Sequence, residues 1–209
     1  MLTGFEPFGG DALNPSWSAV RLLASRRDGP ADLHVRELPV TFAGAGPALE
    51  TALDEVSPDI VIAVGLAGGE ERIRVERVAI NLDDARIPDN AGAQPIDAPI
   101  LEDGPAAYFA TLPVKAAVAA IEARGIPAYV SQTAGTFVCN HVFYLLQHTL
   151  ATRPGIRGGF VHVPYTPEMV EGSGRPAMPV ESIADALDAV LRATLEHPAD
   201  VPLVGGAIA

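Results

Sequence analysis

The sequence is poor in several things that whole classes of protein require. It has one cysteine, Cys139, among 209 residues, so no disulfide can form within the chain and a zinc centre built from several thiolates is excluded. Such cysteine usage fits a reducing compartment, and a cytoplasmic location is expected. Basic residues are scarce: 14 Lys and Arg stand against 26 Asp and Glu, a net charge of -12. A field of that sign repels phosphate backbones and anionic lipid, so neither nucleic acid nor a membrane surface is expected as a partner. No apolar run approaches the ~20 residues of a membrane span. The start, Met1-Leu2-Thr3-Gly4-Phe5, lacks a basic region followed by an apolar stretch, so no export signal is read. No two of the five histidines have the i, i+4 spacing of a zinc-binding helix with a glutamate between them, and neither a metal nor a cofactor is expected.

What is present is a chain that is 48% hydrophobic and long enough to bury a substantial core. Short apolar runs alternate with helical patterns along nearly its whole length, with no repeat or low-complexity linker. That pattern predicts one α/β domain over residues 1–209, a three-layer α/β/α sandwich on a mainly parallel sheet. Asn14-Pro15-Ser16-Trp17 reads as a cap followed by a first-turn proline, opening a helix to about Arg26 that buries Trp17, Val20, Leu23 and Ala24. Strands are expected over residues 33–40, 59–65, 126–132 and 159–163, the second of them central because it is apolar on both faces. Helices are expected over residues 47–56, 113–124, 137–151 and 180–197, the last burying Ile183, Leu187, Val190, Leu191 and Leu195 against the sheet. Residues 73–82 alternate with a slip of phase at Glu76, which implies either a bulge or an inward-pointing carboxylate. Residues 83–106 carry little periodicity, and so long a connection suggests an active-site or interface loop.

Several residues invite a chemical reading beside a plain one. Gly4 and Gly9 have the spacing of a phosphate-binding loop, but Gly10 and Asp11 stand where that motif needs Lys and Ser or Thr, so nucleotide binding there is rejected. The loop reads instead as a strand-to-helix turn, with Phe5 and Phe8 able to wall a small apolar ligand. Cys139 is either a buried small hydrophobe or a nucleophile. It falls in the first turn of a helix expected to follow a parallel strand, where free N–H groups and the helix dipole favour a thiolate. His162 closes a predicted strand. It is either a core histidine or the general base that a thiol requires. His141 and His148, on the Cys139 helix, read as structural or solvent-facing.

Four segments in order carry a resemblance over almost the whole chain. They are Thr3-Gly4-Phe5-Glu6-Pro7-Phe8-Gly9-Gly10 with Asn14-Pro15-Ser16-Trp17, then Glu76-Arg77-Val78-Ala79-Ile80-Asn81 running into Asp84-Ala85-Arg86-Ile87-Pro88-Asp89-Asn90, then residues 131–141, then Gly158-Gly159-Phe160-Val161-His162-Val163-Pro164-Tyr165. The sequence resembles the pyroglutamyl-peptidase I (pyrrolidone-carboxylate peptidase) family of cysteine exopeptidases. The resemblance implies hydrolysis of the amide after an amino-terminal pyroglutamyl residue through a thioacyl intermediate. It puts Cys139 in the nucleophile's place, His162 in the base's and Glu76 in that of the third member. Arg86 matches a family arginine near the catalytic centre, where it would help stabilise the oxyanion. Phe5 and Phe8 match the ring-pocket aromatics, and Phe137 and Val138 would complete the slot or pack in the core. The resemblance also suggests a homo-oligomer, a tetramer or dimer, and peptides blocked by pyroglutamate as partners. Two features depart from the family: only Met1 and Leu2 precede Thr3, which predicts a short first strand, and Leu66 stands where some members have a glutamine near the lactam. Two rivals from other classes remain at this point, a phosphorylase-like or other small-molecule hydrolase and a binding protein that has lost catalysis.

Overall fold

The computed structural model describes residues 1–26 and 32–206. Along the chain lie β1 (Leu2–Phe5), α1 (Pro15–Arg26), β2 (Val35–Leu38), α2 (Phe42–Val56), β3 (Ile60–Leu66), β4 (Ile73–Glu76), β5 (Val78–Ile80), β6 (Ala107–Phe109), α3 (Val114–Glu122), β7 (Ala128–Ser131), α4 (Val138–Ala151), β8 (Arg157–Val163) and α5 (Val180–Glu196). Six strands form a sheet in the order β2-β1-β3-β8-β4-β7, and β5 pairs with β6 beside it. Alternation along the strands sorts side chains to two faces. Ile60, Ile62, Val64, Val161 and Val163 face α1, α3 and α5, whereas Val61, Ala63 and Phe160 face α2 and α4. The expected α/β architecture, a mainly parallel sheet between helical layers, is therefore present, and β3 is one of its two central strands.

The sheet is parallel through β2, β1, β3 and β8. β4 then runs antiparallel to β8, and β7 runs parallel to β4. The strand before the Cys139 helix thus runs against the main direction, contrary to the sequence-based expectation. The cause is connectivity: the short link from β3 to β4 reverses the chain without a crossover helix, so β4 returns on the far side of β8 and lies antiparallel to it. α4 reaches the same rim as the ends of β1, β3 and β8 because residues 132–137 carry the chain there before the helix begins.

One open alternative is decided, and the expectations for α2, α5 and α1 are corrected. The phase slip at Glu76 is not a bulge, because β4 ends there and β5 starts two residues later in a different sheet, pairing with β6, for which periodicity gave no signal. α2 begins at Phe42 instead of Pro47: Thr41 caps it by accepting from Gly44 N, and burial of Phe42, Ala45 and Leu49 outweighs the one hydrogen bond that Pro47 removes. Leu195 is 48% exposed, since the apolar face of α5 turns away from the core in its last turn, and in α1 it is Ser16 and Ala19 that are buried with Val20 and Leu23, while Trp17 and Ala24 are only partly covered. The long segment over residues 83–106 is pinned throughout. Asp83 and Ala98 form a bridge, Asp89 accepts from Phe42 N, Ala91 N and Ala93 N, and Asn81 holds Leu101.

Candidate active site

The site is assembled on the α4 side of the sheet at the carboxyl ends of β1, β3 and β8. Arg74 and Glu76 alternate with the core-facing Ile73 and Val75, so their side chains turn toward α4. The antiparallel register pairs Glu76 with Phe160. His162 is two residues beyond Phe160 on the same face, within diagonal reach of Glu76. His162 Nδ1 donates to Glu76 Oε1 at 2.8 Å. Glu76 is 0% exposed and His162 5%, so this is the inward carboxylate that the phase slip allows. Arg74, two residues earlier on the same strand face, is bonded to Glu70 and not to Glu76.

Cys139 approaches the imidazole from the α4 side. Its Sγ lies so close over β3 that a Cβ on Gly65 would come within 2.7 Å of it and within 2.8 Å of the Phe160 ring. Only a residue without a side chain leaves room for the thiol at that position. Burial pushes the pKa of His162 down, yet its charge interaction and hydrogen bond with Cys139, together with the bond and charge of Glu76, push it up further, from 6.5 to about 9. At neutral pH the ring therefore carries its proton.

Two features prepare the N-terminus of α4 for negative charge. Its N-cap, Phe137, has no polar side-chain atom and makes no capping bond, and the preceding Thr136 hydroxyl donates to Asp84 O. The first N–H groups of the helix are left facing the site. The buried Asn140 bonds with its amide to Ile80 O and Leu82 O and accepts from Ile80 N, fixing this end of the helix to the β5 strand.

A cavity of about 480 Å³ opens beside Cys139 and is lined by all four expected ring-pocket residues, Phe5, Phe8, Phe137 and Val138, and by Arg86 and Leu66. Phe137 packs at 5.3 Å from both Phe8 and Phe42, the second contact edge-on. Arg86 is exposed at the cavity and makes no hydrogen bond or ion pair with any described residue. The β1–α1 loop is tied to α1 by Asn14 Nδ2, which donates to Glu6 O, and to its neighbours by Val40 N and Asn90 Nδ2, which donate to Glu6 Oε1. His141 and His148 are committed elsewhere, to Asp83 Oδ2 at 2.7 Å and to the Tyr108 hydroxyl at 2.8 Å. Periodicity and spacing carry no signal for Asn140, Tyr165 or Arg175, of which the last two also line the cavity. A glycine closing an otherwise apolar central strand was the available signal for Gly65. Among the described residues no group of three or more His, Cys, Asp or Glu could hold a metal ion, and no helix is long and apolar enough to cross a membrane.

Comparison with known proteins gives concordant results. A family model described as pyroglutamyl peptidase matches residues 1–197. A pyrrolidone-carboxylate peptidase of Clavibacter michiganensis subsp. michiganensis is 62% identical over 208 residues, covering 100% of this chain and 98% of the relative. One from Streptomyces coelicolor is 52% identical over 204 residues, 97% of this chain and 94% of its own length. Among solved structures, pyroglutamyl peptidase I from Bacillus amyloliquefaciens aligns with a TM-score of 0.94 at 46% identity, covering 97% of each chain. Pyrrolidone carboxyl peptidase from Thermococcus litoralis aligns with a TM-score of 0.92 at 40% identity, again over 97% of each.

Proposed function

The chain belongs to the pyroglutamyl peptidase family, and we propose that its removal of amino-terminal pyroglutamate runs through Cys139 as nucleophile, His162 as acid and base, and Glu76 as the group that orients and charges the imidazole. The observation that carries this reading is the position of His162: buried, bonded through Nδ1 to Glu76, facing the Cys139 thiol with its other nitrogen, and protonated up to about pH 9. A cationic imidazole beside a thiol favours the thiolate over the thiol, and the thiolate is the reactive form.

The thiolate attacks the carbonyl carbon of the pyroglutamyl residue, and its electrons move onto the carbonyl oxygen. The N–H groups at the start of α4, with Arg86, stabilise that oxyanion. As the tetrahedral intermediate collapses, the imidazolium of His162 gives its proton to the departing amine, leaving a thioacyl enzyme and a neutral ring. The neutral ring then takes a proton from water, the resulting hydroxide attacks the thioester, and pyroglutamate leaves with the thiolate and imidazolium restored. Throughout, Glu76 keeps Nδ1 protonated and offsets the ring's charge. The uncharged lactam lies between Phe5 and Phe8 on one side and Phe137 and Val138 on the other, needing no counter-ion. Leu66 contributes apolar surface and no hydrogen bond.

The whole chain serves as one peptidase domain acting in the cytoplasm on peptides blocked by pyroglutamate, and it assembles as a homo-oligomer, a tetramer or dimer. The expected test of the site is alkylation of Cys139 by iodoacetamide at pH 7. The thiol should react much faster than that of free glutathione, and 2-pyrrolidone, which mimics the lactam, should protect it. Slow labelling, or labelling indifferent to 2-pyrrolidone, would remove Cys139 or the ring pocket from the reading.

A further inference from the structure

The cavity is much larger than a five-membered lactam, and its two flanks differ chemically. Cys139 Sγ sits in the middle, over Gly65 of β3. On the flank beyond β1 lie Phe5 and Phe8, with Phe137 packed between Phe8 and Phe42. On the flank beyond β8 the chain leaves the strand and lays Tyr165 against Gly68, where a Cβ would fall 2.6 Å from the tyrosine hydroxyl. The same chain brings Arg175 into the lining, its guanidinium 5.9 Å from the centre of the Tyr165 ring.

This flank is held in place. Val170 and Met178 are buried, Met178 N donates to Tyr165 O at 2.8 Å, and Arg175 N donates to Ser173 Oγ at 3.2 Å. The Arg175 side chain makes no hydrogen bond or ion pair with any described residue. Glu168 and Glu171 on its own segment form none with it, and Glu70 is bonded to Arg74. The cavity's other charged groups are Asp11 and Arg86, from the loops after β1 and β5, the second of which Asn90 ties to Glu6 Oε1 and Pro7 O near the end of β1.

The geometry points to a subsite for the departing side of the substrate, in which Arg175, resting on the Tyr165 ring, takes a carboxylate carried by the residue that follows pyroglutamate. The inference rests on the ring-pocket reading above: with the lactam among the aromatics and its carbonyl at Cys139, the next residue extends toward β8. An unpaired guanidinium over an aromatic face suits a planar carboxylate. That carboxylate is either an aspartyl or glutamyl side chain or the free terminus of a dipeptide.

The test compares kcat/KM for pyroglutamyl-aspartyl amide, pyroglutamyl-lysyl amide, pyroglutamyl-alanyl amide and pyroglutamyl-alanine with a free carboxylate. At low salt the wild type should favour the aspartyl over the lysyl amide, or the free acid over the alanyl amide, by about three- to tenfold, and salt should erode the preference. The pair that shows it identifies the source of the carboxylate. Arg175→Gln should bring the ratio to near one, and Arg175→Glu should invert it. Equal kcat/KM across the four substrates, or a preference that survives in Arg175→Gln, would overturn the inference. A neutral pyroglutamyl arylamide separates the two readings: its cleavage without carboxylate selectivity defeats only the subsite, whereas its complete resistance defeats the peptidase assignment and the subsite together.

Discussion

Glu76 ends β4 with one carboxylate oxygen on His162 and the other, Oε2, buried without a hydrogen-bond partner among the described residues. A carboxylate in that position is costly unless a cation faces it, so the imidazolium and the carboxylate each require the other. The sign of the pH dependence follows. The folded-state value of His162, about 9, lies above its ordinary 6.5, so the stability it contributes is complete below pH 6.5 and fades as the pH rises through 9. In Glu76→Gln the folded value falls, because the amide keeps a hydrogen bond and loses the charge. The alkaline limb of kcat/KM should then move to lower pH, kcat at neutral pH should drop by about 10²-fold or more, and the fall in Tm between neutral and alkaline pH should shrink. Measuring both quantities on one preparation decides the role: full activity leaves a Cys139–His162 dyad, and a lower Tm with kcat intact makes Glu76 structural. At this scale much was legible. Glu76 announced itself by breaking an apolar alternation, and Cys139 and His162 through short segments of sequence. Arg175 did not, since no periodicity places a loop side chain in a cavity.

At the scale of elements, the first turn of α4 has to be held against β5, and Asn140 does so with three hydrogen bonds from a fully buried side chain. Truncating it removes the Asn140 partner of Leu82 O and Ile80 N, while Ile80 O keeps its bond from Leu82 N. Asn140→Ala is expected to cost about 2 kcal/mol or more of stability and to lower kcat, because the N–H groups around Cys139 lose their fixed direction. Thermal unfolding together with arylamide hydrolysis checks this, and an unchanged Tm would show that the bonds are dispensable. Helix positions were readable because each has an apolar stripe, and α4 itself matched the expected start within one residue. The direction of β4 and β7 was not, since an apolar strand reads the same in either orientation and only the β3–β4 link decides it. The start of α2 is not legible because Pro47 has the look of a first-turn proline, whereas it lies inside the helix.

For the whole molecule, the α/β class follows from the alternation of short apolar runs with helical patterns, and the sheet order does not, because pairing partners far apart in sequence leave no local trace. Assembly is also a property of this scale. Phe109 on β6 is 70% exposed and Ile96, on the long loop, 76%, a degree of apolar exposure that association would relieve. Sedimentation should find a species heavier than one chain, and Phe109→Glu should shift it toward the monomer; a wild type that is monomeric at all concentrations would refute the assembly. What unites the scales is that sheet direction, helix register and two buried polar side chains converge on one sulfur atom. The most direct test is therefore hydrolysis of a pyroglutamyl arylamide by the wild type and by Cys139→Ala. The variant should fold with an unchanged far-ultraviolet spectrum and lose about 10³-fold or more in kcat/KM, and equal rates in the two proteins would contradict the account.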